Sequence, residues 1–248
     1  MLTKDRAICI RVTDYSETSQ VVTLFARLCG KIRAIAKGSK RPKSAFDGPI
    51  EVLSFGDVVL AGTHKEGLAT LTEYQPYAAQ GELRRNLFAL NAALFAAELL
   101  NSLTDDHDPH PVLFDHFAEF LQDIEAGQIG RERRDLLIRL ILLQLVQLLE
   151  VGLRPVLEAC VNCKRPFTAD WREVYFSASA SGLVCRDCEM SFPDKIRLST
   201  RAGNCLTDIK CIAQANEKTL DEIERLLIRH FTHILGRPPR TAKLVLGR

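Results

Sequence analysis

Residues 160–188 read CVNCKRPFTADWREVYFSASASGLVCRDC, two Cys-x-x-Cys pairs held apart by 21 residues. Each pair turns two sulfurs toward one point, so the intervening chain must double back until Cys160 and Cys163 meet Cys185 and Cys188. Glu173-Val174-Tyr175-Phe176 has the β-branched and aromatic texture of a strand, and Ser181-Gly182-Leu183 that of a turn, which together make the returning ribbon. Four thiolates with no fifth ligand nearby match a closed tetrahedral Zn²⁺ site. A catalytic zinc keeps one position open to water or substrate, whereas four sulfurs fill the shell, so the expected role of a single zinc here is structural. Phe167, Trp171 and Phe176 are expected to pack a segment too short to bury a core of its own. Cys9, Cys29, Cys205 and Cys211 lack such spacing and read as small buried apolar residues.

Reading the cluster as metal ligands, and not as a disulfide framework, presumes a reducing compartment. The opening MLTKDRAICIRV carries Lys4, Asp5, Arg6 and Arg11 and no apolar run of signal-peptide length, so a cytoplasmic protein is expected. The greasiest stretch, residues 136–153, is interrupted by Arg139, Gln144, Gln147 and Glu150, which are expensive in lipid. It reads as the central helix of a bundle, and no membrane association is expected.

Three textures follow one another along the chain. Residues 1–78 are short Val-, Ile-, Thr- and Phe-rich runs punctuated by Gly30, Gly38, Gly48, Gly56 and Gly62. In Lys31-Ile32-Arg33-Ala34-Ile35-Ala36-Lys37 the alternation puts Ile32, Ala34 and Ala36 on one side and Arg33 and Ile35 on the other. About five strands in some eighty residues predict a small closed barrel, which removes the sheet edges. From Gly81 the period becomes helical: Leu83, Leu87, Leu90, Leu94, Ala97 and Leu100 form one stripe, and Leu113, Phe117, Phe120, Leu121 and Ile124 a second. A last helix is expected to start with Thr219 and Glu222 as a capping box and to stop at Gly236 before Pro238 and Pro239. The expected class is α+β: an OB-fold barrel over residues 1–80, then an all-α helical domain over 81–248 with the four-cysteine zinc module inserted at 155–193.

Net charge is only +2, but it is unevenly spread. Residues 27–43 hold seven Lys or Arg and no acid, residues 225–248 hold six and none, and residues 86–130 hold acids but no Lys or Arg. The sequence AKGSKRPKSAF falls between two expected strands, where Gly38, Ser39 and Pro42 hold a loop open. Arg33, Lys37, Lys40, Arg41 and Lys43 would there track a phosphodiester backbone. Stacking by Tyr15, Phe25 or Phe46 is not assigned, since each would fill a barrel core equally well.

The stretch from Tyr15 to Leu60, with Tyr15-Ser16-Glu17, Ala36-Lys37-Gly38 and the basic loop, followed by CVNCKRPF and GLVCRDC, resembles the RecO family of bacterial recombination mediators. In that family a Tyr-x-Glu element opens the second strand and Ala-Lys-Gly precedes a basic loop. The resemblance implies an OB-fold followed by a helical domain with a zinc module. It also implies binding of single- and double-stranded DNA, annealing of complementary strands, and loading of RecA with RecR onto DNA coated by single-strand-binding protein. Contact with the C-terminal tail of single-strand-binding protein is implied for the helical domain, with no residues transferred, and the implied location is cytoplasmic and nucleoid-associated.

No P-loop, nuclease carboxylate cluster or nucleophile-base pattern is found, so neither catalysis nor a small-molecule substrate is expected. His107, His110 and His116 lie near acids at spacings that suit surface or cap roles. The alternative reading is a zinc-ribbon nucleic-acid-binding accessory protein of transcription or translation.

Overall fold

Alternating strands in the first part of the chain close on themselves. The computed structural model describes residues 2–42, 44–46, 48–62, 67–77, 81–130 and 132–246. Its five N-terminal strands are β1 (Leu2–Asp14), β2 (Gln20–Ala26), β3 (Gly30–Ala36), β4 (Phe55–Ala61) and β5 (Ala69–Pro76). They form a closed barrel in the order β1-β2-β3-β5-β4, with β3 and β5 parallel and the other pairs antiparallel. β1 pairs with β4 through its first half and with β2 through its second, and a bulge between Cys9 and Arg11 bends it from one to the other. The side-chain period holds as read: Ile32, Ala34 and Ala36 are buried and Arg33 is exposed. Val22, Leu24, Leu60 and Leu71 fill the interior, joined by Phe46 and Ile50 from the β3–β4 loop.

The chain divides into two compact units, Met1–Ile129 and Gly130–Arg248. Three helices share the first unit with the barrel: α1 (Gly81–Arg85), α2 (Leu87–Leu103) and α3 (Pro111–Glu125). The first helical stripe is not continuous. Asn86 interrupts it and caps α2, its Oδ1 accepting from the Ala89 N–H at 3.1 Å. The break turns Leu87 outward, 71% exposed, while Leu83 and Leu100 stay buried. The second stripe is buried throughout. Phe114 of α3 lies 6.0 Å from the ring of Phe25 and 5.8 Å from that of Phe55. One pairing of acid and base holds the same helix: Asp115 accepts from Arg27 Nε at 2.8 Å and Nη2 at 2.7 Å. Arg27's hydrogen bond holds the Asp115 carboxyl below its ordinary range.

The second unit contains α4 (Arg133–Glu150), β6 (Val174–Ser177), β7 (Gly182–Cys185), a 3-10 turn (Arg186–Ser191), β8 (Ile196–Leu198), α5 (Thr200–Thr207), α6 (Ile209–Gln214) and α7 (Glu217–Leu235). β7, β6 and β8 form a three-stranded antiparallel sheet. Apolar faces of α4 and α7 pack together, with Leu137, Leu140 and Leu148 on one and Ile223, Leu227 and Phe231 on the other fully buried.

Two expectations for this unit are corrected. α7 begins before Thr219: Asn216 is its cap, with Oδ1 accepting from the Thr219 N–H at 2.9 Å, and Glu222 instead accepts from Ser199 N and Oγ at the start of α5. Asn216 adds nearly one more turn and satisfies a donor of that earlier turn. Cys205 and Cys211 are not separate apolar fillers. The chain breaks at Asp208, which caps α6, and the fold-back brings the two Cα atoms to 4.6 Å and the two sulfurs together. Gly236 does end α7, in the left-handed conformation expected of a C-cap. Among the described residues no helix is long and apolar enough to cross a membrane.

Candidate nucleic-acid interface and metal centre

The outward faces of β1, β2 and β3 carry a cross-strand row. Arg11 lies opposite Thr23, and Thr23 opposite Arg33, so two guanidinium groups flank a hydroxyl. Beside this row lies a groove of about 630 Å³, whose walls include Arg11, Tyr15, Thr23, Arg33 and Leu68. Tyr15 is 65% exposed at the groove's rim, because Tyr15-Ser16-Glu17 falls in the β1–β2 turn and not in β2 itself. Arg33, Lys37 and Arg41 are exposed or half-exposed and make no ion pair among the described residues, and the same holds for Arg11. Lys40 is half-buried, with its ammonium 2.5 Å from Asp14. Lys43 lies outside the described residues. Gly38 takes a φ of +73°, the left-handed region that favours glycine, at the turn into the basic loop.

Of the seven basic residues in this stretch, two are committed elsewhere. Arg27 clamps Asp115, and Lys31 donates to the carbonyls of Asn101 at 2.9 Å and Thr104 at 2.5 Å, with Asp106 at 3.5 Å. Arg11, Tyr15 and Thr23 were not assigned from the sequence. Only β2 separates Arg11 from Arg33, but reading that requires the β1–β2 register, which the bulge shifts by one residue.

The four cysteines of the second unit converge. Their sulfurs all lie within 4.8 Å of one another, and Cys163 Sγ is 3.7 Å from Cys185 Sγ. Sulfurs at tetrahedral angles about 2.3 Å from one ion would be about 3.8 Å apart, whereas a disulfide needs about 2.05 Å. The ribbon is built as the spacing requires. β6 and β7 form a hairpin that delivers Cys185, and the following 3-10 turn carries Cys188. Cys160 and Cys163 sit in a turn closed by the Lys164 N–H donating to the Cys160 carbonyl at 3.0 Å. Gly182 admits no side chain: a Cβ would meet the Val156 carbonyl oxygen and Val161 Cγ1, each at 2.5 Å. Burial raises the Cys160 thiol, but N–H groups of Cys185, Cys163 and Asn162 outweigh it and bring the thiol down to about 7, whereas burial and the neighbouring thiols push Cys185 up to about 12, so without an ion the four sulfurs share protons unequally. Cys9, in the barrel core, is pushed up to about 12 by burial, as befits an inert thiol.

This donor set suits zinc, and among the described residues it is the one group of three or more His, Cys, Asp or Glu close enough to share an ion. Around it, Trp171 and Phe176 are buried, Phe167 meets Trp171 edge-on at 5.2 Å, and the indole N–H donates to the Pro166 carbonyl at 3.0 Å. The aromatics are packing, as expected. His110 lies 3.2 Å from Asp108 and His116 3.7 Å from Glu119, both pairs local.

The family model for the N-terminal part of recombination protein O matches residues 1–79, and that for its C-terminal part matches residues 84–243. The DNA repair protein RecO of Rhodopirellula baltica is 33% identical over 95% of this chain and 82% of its own length. RecO of Bacillus subtilis is 30% identical over 95% and 91%, and that of Bacillus pumilus 28% over 95% and 90%. Barrel order, cysteine cluster and these matches agree across nearly the whole length: the chain belongs to the recombination protein O (RecO) family.

Proposed function

We propose that this protein is a recombination mediator of DNA repair that binds single- and double-stranded DNA and anneals complementary strands. With RecR, it helps load RecA onto DNA coated by single-strand-binding protein. Family membership and the DNA repair proteins it resembles support the repair role. The observation that carries the binding reading is the row of unpaired Arg11 and Arg33 running into the exposed Lys37 and Arg41.

Annealing needs no acid, base or nucleophile. It needs phosphate repulsion between two strands reduced while the base edges stay accessible. Guanidinium and ammonium groups on an open barrel face supply the first by displacing condensed counterions, and they leave the bases outward. Arg33, Lys37, Lys40, Arg41 and Lys43 are the assigned phosphate contacts, with Arg11 added from the cross-strand row. Lys40 exchanges Asp14 for a phosphate on binding, and Tyr15 at the groove rim offers a face for one base. Zn²⁺ held by Cys160, Cys163, Cys185 and Cys188 supplies folding energy to the ribbon and takes no part in strand contacts. RecR and the tail of single-strand-binding protein are the proposed partners, in the cytoplasm and at the nucleoid. The proposed domain boundaries are residues 1–80 and 81–248, with the zinc module at 155–193.

The test is annealing of two complementary mixed-sequence oligonucleotides, each precoated with single-strand-binding protein, followed by fluorescence quenching. The expected result is acceleration by at least about tenfold over the uncatalysed reaction. An unchanged rate at saturating protein would remove the annealing role.

A further inference from the structure

The basic residues of the barrel do not sit on a loose loop. Between the end of β3 at Ala36 and the start of β4 at Phe55, the described residues form no helix or strand. Connections of that length without structure of their own are uncommon in compact domains and are usually functional. This one is fastened at two places.

Gln20, the first residue of β2, is 4% exposed, and its side-chain amide is turned to the loop. Its Oε1 accepts from the Ser39 hydroxyl and from the Ile50 N–H, both at 2.9 Å, and its Nε2 donates to the Ile50 carbonyl at 3.2 Å. The two backbone groups of Ile50 fix which end of the amide faces which. Ser39 is fully buried beneath it. On either side the Gly38 N–H donates to Ser19 Oγ and the Lys40 N–H to the Thr18 carbonyl, each at 3.1 Å. Three consecutive residues at the β1–β2 connection thus hold three consecutive residues of the basic loop. Farther along, Phe46 and Ile50 are buried in the barrel core. Lys40 and Arg41 are suspended between these anchors.

We propose that Gln20 is the positioning residue of the nucleic-acid interface, an inference that rests on the binding role assigned above to the loop. Gln20 is too buried to touch a ligand. It acts by fixing Ser39 and Ile50, so that the cations between them are already placed when a phosphate backbone arrives. A loop ordered in advance loses less conformational freedom on binding than one ordered by its ligand.

This mechanism leaves a signature different from that of a contact residue. Removing a phosphate contact makes the log–log salt dependence shallower, because fewer counterions are released. Removing the anchor leaves the same cations on a mobile loop, which lowers affinity at every salt concentration without changing the slope. Gln20→Met keeps the volume and removes all three hydrogen bonds. The experiment is fluorescence anisotropy of the full chain with a mixed-sequence single-stranded oligonucleotide over a salt series, paired with amide hydrogen exchange. The expected result is a line parallel to the parent's, displaced about tenfold toward weaker binding, with faster exchange confined to residues 38–50. Faster exchange with unchanged affinity, unchanged exchange, or a shallower slope would each overturn the proposal. Should Gln20→Met fail to fold, Ser39→Ala removes one anchor bond from the loop side. It should give the same parallel displacement, about threefold, with faster exchange at residues 38–41, and unchanged affinity there would overturn it. Failure of the binding role shows separately, as a parent slope that Lys37→Ala with Arg41→Ala leaves intact, and that result removes this inference with it.

Discussion

Glu224 of α7 is fully buried, and Gln144 of α4 donates to its two oxygens at 3.0 and 2.8 Å. Burial pushes its carboxyl up to about 8, against the hydrogen bond from Gln144 and the attraction of Arg133, which is itself paired with Asp221 at 2.5 Å. Below that pH the group carries a proton, and Gln144 Oε1 beside it is a buried acceptor with no partner among the described residues. The unfolded carboxyl titrates near 4.5, so the folded chain holds the proton more tightly and stability falls as pH rises from about 4.5 to about 8. Glu224→Gln stays neutral and places an N–H₂ where the proton was. It should be more stable than the parent at pH 8 by about 1–2 kcal/mol in urea unfolding, with the two converging near pH 5. A parent and variant that differ equally at both values would contradict the assignment. The sequence shows Gln144, Gln147 and Glu150 only as polar interruptions of a greasy helix. That Gln144 is buried against a carboxylate eighty residues away depends on how α4 and α7 pack, which no local pattern encodes.

At the scale of elements, the zinc ribbon is the part most open to reading, because metal geometry ties spacing to structure. Two pairs of ligands with a strand and a turn between them leave few ways to fold: β6 lies where the composition puts it, while the turn falls at residues 178–181 and Gly182 and Leu183, expected in the turn, open β7. Cys163→Ser opens the shell and releases the link between the first pair and the hairpin. The expected outcome is loss of bound metal and a melting temperature lower by roughly 10 °C, with oligonucleotide affinity at low temperature within about twofold of the parent. Metal analysis and differential scanning calorimetry check it, and an intact melting temperature in metal-free parent protein would refute it. Helix ends were less legible. Asn86 and Asn216 compete with equally plausible neighbours, and the choice is made by which face the helix must bury. The Cys205–Cys211 pairing likewise depends on the break at Asp208, since six residues of continuous helix would carry the two sulfurs to different faces.

Across the whole chain, the separation of basic and acidic stretches is legible at once, but its meaning changes on folding. Part of the acidic stretch is paired within the first unit: Asp115 takes Arg27, Asp106 lies by Lys31, and Glu125 accepts from the N–H groups of Glu82 and Leu83. These contacts sort the basic residues into those that hold helices and those left to solvent, a division set by long-range pairing and absent from the charge count. Arg11, Arg33, Lys37 and Arg41 remain outward and, on this account, read the nucleic-acid backbone without regard to sequence. About five phosphate contacts to a single strand give a log–log salt slope near −3.5. The decisive measurement is that slope, by fluorescence anisotropy on mixed-sequence oligonucleotides, for the parent and for Arg33→Ala, Lys37→Ala and Arg41→Ala combined. The account predicts a variant slope shallower by about two units at unchanged metal content, and a variant that kept the parent's slope and affinity would contradict it.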